Sequence, residues 1–103
     1  MAYPTILLMN MIPTYRRFKE LRTKAQENLE GNGILEQQLA SAVIEISYMR
    51  QDEVPDYAWD NVENILSQCR THEPIASEGR FRASINAMTY EQRNSLKRMI
   101  ELL

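Results

Sequence analysis

The chain has 103 residues, of which 44% are hydrophobic and 25% are charged, and its formal net charge is −2. This length fits a single domain over residues 1–103, and the composition excludes a disordered or fibrous protein. The only cysteine, Cys69, cannot form an internal disulfide, so the sequence favours a reducing, cytoplasmic location over secretion.

The first predicted element is a short apolar arm over residues 1–12. Its apolar residues include Ile6, Leu7, Leu8, Met11 and Ile12. The arm is far shorter than the roughly 20 residues that span a bilayer, and it lacks the basic start of a signal peptide. We therefore expect no membrane association. An arm this apolar either packs on its own domain or forms an interface with a partner or a second copy of the chain.

Apolar periodicity predicts four helices after the arm. They cover residues 13–30, 34–51, 55–70 and 89–103. Such a pattern indicates an all-α fold, a small four-helix bundle-like domain preceded by the apolar arm.

Residues with strong conformational preferences mark the predicted helix ends. The run Gly31-Asn32-Gly33 accepts positive φ angles, which stop a helix, and its shortness predicts an αα-hairpin of the first two helices. Pro55 marks the start of the third helix. Thr89 and Gln92 have the spacing of a capping box at the start of the last helix.

The stretch over residues 71–88 is predicted to be an irregular connection. Pro74 and Gly79 interrupt it, and no long helical stripe crosses it. Apolar and polar residues alternate over residues 80–85, which is also compatible with a short extended segment.

The second helix carries two sets of apolar residues. One stripe comprises Leu35, Leu39, Ala42, Ile46 and Met49. Another strip, on a different side, comprises Ala40, Ile44 and Tyr48. Since a surface helix needs only one apolar face, this helix either lies at the centre of the domain or contacts a partner.

Charged residues form two further candidate surfaces. Asp56, Asp60 and Glu63 share one face of the third helix, where an acidic stripe is a solvated surface or an imitation of a nucleic-acid backbone. A possible anion-binding group comprises Arg80, Arg82, Arg93 and Lys97. The sequence pI of about 5.4 argues against a general nucleic-acid binder, since such domains are usually basic.

Residues for catalysis or metal binding are sparse. His72 is the only histidine, and Cys69, His72 and Glu73 do not complete the four ligands of a structural zinc site. The sequence contains no glycine-rich phosphate loop and no metalloprotease motif. We therefore expect no catalytic residues, no metal and no cofactor.

These patterns predict a non-catalytic, small helical protein-protein interaction module that binds a protein partner or a second copy of itself. A subunit, adaptor or inhibitor of a bacterial or phage system is typical of this size. The alternatives are a nucleic-acid-associated regulator that uses the basic group and a nucleic-acid mimic that uses the acidic stripe.

Overall fold

A computed structural model describes residues 14–73 and 79–103. This part of the chain is all-helical, which confirms the predicted all-α class. It contains five α-helices, α1 Arg16–Glu30, α2 Leu35–Ser47, α3 Asp56–Gln68, α4 Arg80–Asn86 and α5 Tyr90–Glu101, with a short 3-10 helix at Gln51–Glu53. The predicted arm over residues 1–12 lies outside the described residues.

Helices α1 and α2 pack against each other and are joined by residues 31–34. The buried side of α1 comprises Phe18, Leu21, Ala25 and Leu29, which recur every three or four residues. Gly33 has a φ of 147°, a backbone conformation that favours glycine. The side-chain amide of Gln38 donates to the carbonyl of Gly31 and ties the connection to α2. The predicted helical hairpin is therefore present.

Helix α2 is the centre of the fold because it contacts each of the other four α-helices. Its fully buried residues include Leu39, Ala42, Val43 and Ile46. Burial thus explains the first apolar stripe of this helix, and it explains Ala40 of the second strip. The helix ends at Ser47, earlier than predicted, and the side-chain hydroxyl of Ser47 donates to the carbonyl of Ile44 at 2.6 Å.

Helix α5 begins with the predicted capping box. The Thr89 side-chain oxygen accepts from the Gln92 N–H at 3.2 Å, and the Gln92 side-chain oxygen accepts from the Thr89 N–H at 2.8 Å. These bonds satisfy two N–H groups that would otherwise lack partners at the helix start. Leu96 and Ile100 then face the core, where both are fully buried.

The end of α5 is held by α1. The side-chain amide of Gln26 donates to the carbonyls of Ile100 and Glu101, each at 3.2 Å. Carbonyls in the last turn of a helix lack partners within the helix, so this amide acts as a cap supplied by a neighbouring element.

The prediction of an irregular connection over residues 71–88 is wrong for residues 80–86, which are helical. They form α4, in which Ala83, Ser84 and Ile85 are buried, and Phe81 and Met88 pack against the core. The apolar and polar residues that alternate over residues 80–85, and so suggested an extended segment, are also compatible with the apolar stripe of a helix. In a helix of only seven residues the two periodicities are hard to separate, and packing on α2 selects the helix.

A pair of isoleucines on α2 tests this arrangement. We expect Ile46→Ala to lower the free energy of unfolding by about 2–5 kcal/mol, because the lost side chain leaves a cavity. Ile44→Ala, two residues away and partly exposed, is the matched control and should cost less than about 1 kcal/mol. Urea denaturation followed by circular dichroism measures both. Equal losses would contradict the orientation assigned to α2.

Candidate functional site

Part of the second apolar strip on α2 faces solvent. Ile44 is 42% exposed and Tyr48, one turn further along, is 53% exposed. Ala40 differs from this prediction, because it is only 9% exposed and belongs to the core. We call Ile44 and Tyr48 the apolar edge of α2.

A groove of about 330 Å³ runs beside this edge, between α2 and the first turn of α4. Its α2 wall includes Ala40 and Ile44, and its α4 wall includes Arg80, Phe81 and Arg82. Among the described residues, the lining contains two arginines and no carboxylate. The groove therefore combines an apolar wall with positive charge.

Both arginines of the groove have only weak partners. Arg80 Nη2 lies 3.5 Å from Glu73 Oε1, and both side chains are mostly exposed. Arg82 Nε donates to Asn86 Oδ1 at 3.3 Å. Exposed ion pairs contribute about 0–1 kcal/mol, so the guanidinium of Arg80 can exchange its partner at little cost.

Arg93 occupies a different environment from the two groove arginines. Its side chain is 19% exposed, and its Nη1 pairs with Glu36, whose side chain is 25% exposed. Its Nε donates to the carbonyl of Ile85 and its Nη2 to the carbonyl of Asn86, both at 3.0 Å. Arg93 thus links α5, the end of α4 and the first turn of α2.

The four cations of the predicted anion-binding group are therefore in different environments. Arg80 and Arg82 line the groove, Arg93 lies between helices, and Lys97 lines a separate surface depression with Arg98 and other α5 residues. Sequence reasoning grouped Arg93 and Lys97 because they are one turn apart. It placed Phe81 with Arg80 and Arg82 but did not use the spacing of Phe81 to Ile85 and Met88, which is a helical signal in this stretch.

The acidic stripe lies on the exposed face of α3. Asp56 and Asp60 are exposed and form no ion pair within residues 14–73 and 79–103. The Glu63 carboxylate accepts a hydrogen bond from the indole N–H of Trp59. Asp56 is the first residue of α3, where a negative charge interacts favourably with the helix dipole. This interaction gives Asp56 a structural role.

Cys69 and His72 do not form a reactive pair. The Cys69 side chain is fully buried, and this burial raises the pKa of its thiol from 9.0 to about 12, so the thiol is protonated at neutral pH. His72 is exposed, and its Nδ1 lies 3.0 Å from the Thr71 hydroxyl. Within the described ranges, no three His, Cys, Asp or Glu residues are placed to hold a metal ion.

Comparison with known proteins gives no match to a family model, a curated protein or a solved structure. None of the helices in the described part of the chain combines the length and the apolar character needed to cross a membrane.

Removal of the Arg93 side chain tests its linking role. We expect Arg93→Met to lower the free energy of unfolding by about 2–3 kcal/mol, because Glu36 and two helix-end carbonyls lose a charged donor. Arg98→Met, on the exposed side of the same helix, is the matched control and should change stability by about 0.5 kcal/mol or less. Urea denaturation measures both, and similar values for the two variants would contradict the assignment.

The accessibility of Cys69 is tested with a thiol reagent. We expect the native protein at pH 8 to react with 5,5′-dithiobis(2-nitrobenzoate) at least about 100-fold more slowly than the urea-unfolded protein, because reaction requires local opening and a thiolate. The absorbance of the released thionitrobenzoate measures the rate, and Cys69→Ala gives the background. Rapid labelling of the native protein would show that the thiol is accessible.

Proposed function

We propose that this chain is a small, non-catalytic helical module that acts by binding another protein, as a subunit, adaptor or inhibitor. The observation that carries this proposal is the apolar edge of α2, Ile44 and Tyr48, which remains exposed on the helix that forms the centre of the fold. The proposal includes a cytoplasmic location, which rests on the composition and the single cysteine.

The position of the edge supports a binding role over a packing role. The core-facing side of α2 is already filled by Leu39, Val43 and Ile46, so Ile44 and Tyr48 are additional to what the core uses. Burying a large apolar side chain in an interface contributes about 1.5–3 kcal/mol of binding free energy. The ring of Tyr48 also carries a polar hydroxyl, which suits a surface that is exposed to solvent in the free protein and buried in a complex.

The two nucleic-acid alternatives receive less support from the structure. Among the four cations proposed to bind phosphates, Arg93 is already paired with Glu36, and Lys97 lies in a different surface depression from Arg80 and Arg82. On the acidic stripe, Glu63 is engaged by Trp59, which leaves Asp56 and Asp60 as the carboxylates without a hydrogen-bond partner in the described chain. Two carboxylates reproduce the charges of only two phosphates of a nucleic-acid backbone.

Site-specific photocrosslinking tests the proposed binding role. The photoreactive amino acid p-benzoylphenylalanine is introduced at Tyr48, or at Tyr90 on α5, in the full chain expressed in its source organism. Tyr90 is 73% exposed and therefore provides a control for random collisions. We expect irradiation to give a discrete protein adduct from position 48 and none from position 90, as judged by immunoblotting and mass spectrometry.

The mass of the adduct identifies the kind of partner. A product of twice the chain mass indicates a second copy, and a product of another mass indicates a different protein; either one supports a protein-binding role. The absence of an adduct at position 48, or equal adducts at both positions, would overturn the assignment of this edge as the binding surface.

A further inference from the structure

We infer that the groove between α2 and α4 binds an acidic amphipathic segment of a partner protein. This inference rests on the proposed protein-binding function and adds the chemical character of the partner. It follows from the combination of an apolar wall, two arginines without strong partners and the absence of carboxylates among the described lining residues.

The apolar part of the groove is continuous with the exposed edge of α2. Ile44 belongs to both surfaces, Phe81 forms part of the opposite wall, and Tyr48 extends the apolar line by one further turn. From Gln37 to Tyr48 this surface is roughly 16 Å long, given a rise of about 1.5 Å per residue. A segment of about three helical turns matches this length.

The positive charge of the groove favours a negatively charged partner. Arg80 has an exposed ion pair with Glu73 that a partner carboxylate can replace. Arg82 uses its Nε for Asn86, and its two terminal nitrogens have no hydrogen-bond partner within the described residues. A guanidinium binds a carboxylate through two parallel hydrogen bonds, so each arginine is suited to one acidic side chain at the rim of an apolar contact.

A protein segment fits this groove better than a nucleic acid does. Binding to a phosphate backbone relies on several cations along one path, and affinity grows with the number of phosphates neutralised. Here two arginines border an apolar wall, and the whole chain has a net charge of −2. Ile44 and Phe81 are suited to apolar side chains of a partner, and the two arginines are suited to its acidic side chains.

The test begins with selection of random 16-residue peptides displayed on phage against the immobilised full chain. We expect the enriched peptides to contain Asp or Glu together with large apolar residues spaced three or four positions apart. Fluorescence anisotropy then compares their affinity for the wild-type chain with that for the Arg80→Glu/Arg82→Glu variant. We expect at least about 10-fold weaker binding to this variant.

A matched pair of substitutions controls for the change in net charge. Lys97→Glu/Arg98→Glu reverses two charges on α5 outside the groove and should change affinity by less than about 2-fold. Ile44→Asp should weaken binding at least about 10-fold, since it places a carboxylate in the apolar wall. Circular dichroism verifies that each variant is folded, and Tyr48→Ser replaces Ile44→Asp if that variant does not fold.

Failure of this inference is distinguishable from failure of the proposed function. If Ile44→Asp weakens binding and Arg80→Glu/Arg82→Glu does not, the surface binds protein but the acidic character of the partner is wrong. If no peptides are enriched, or if they bind every variant equally, the groove is not a peptide site. Tighter binding of a 20-nucleotide single-stranded DNA than of any selected peptide at 50 mM NaCl, lost on reversal of both arginines, would replace the inference with a nucleic-acid site.

Discussion

Burial of α2 on several sides is the constraint that organises this structure. A chain of 103 residues has a small interior, and here the most apolar helix contacts all four of the others. Ala40 and Ala42 contribute small side chains to the core, and Leu39, Val43 and Ile46 contribute larger ones. Since α2 contacts each of the other four α-helices, a change in its packing affects all of them.

The position of the groove depends on Arg93, although Arg93 is not part of it. Arg93 holds the carbonyls at the end of α4 and pairs with Glu36 on α2, so it fixes the helix that supplies Arg80 and Arg82 against the helix that supplies Ile44. Arg93 therefore has a positioning role, although in the sequence it resembles the other arginines. Arg80 and Arg82 remain available to a partner.

The sequence predicts the fold wherever the information is local. The α1–α2 hairpin follows from apolar spacing and from Gly33, and the start of α5 follows from Thr89 and Gln92. Helix α4 could not be predicted in this way, because seven residues contain too few turns to separate a helical from an alternating pattern.

The candidate site was only partly predictable for a related reason. The second apolar strip on α2 is local information, but its exposure is not, because Ala40 of that strip is buried whereas Ile44 and Tyr48 are exposed. The separation of Arg93 from Arg80 and Arg82 depends on Glu36, which lies 57 residues away along the chain, and no local pattern encodes such a pair. The groove itself exists only because α4 packs on α2.

The cap that Gln26 provides to the end of α5 has a consequence for the order in which the chain folds. It joins residues 74 and 75 positions apart, whereas α1 and α2 meet across a connection of four residues. Closing the longer loop has the greater entropic cost, and during synthesis α5 leaves the ribosome after the other four described α-helices. The hairpin can therefore form early on the nascent chain, but the parts of α2 that contact α4 and α5 stay uncovered until those two helices have been synthesised. The interval between these two events is when the chain is most exposed to aggregation and to chaperones.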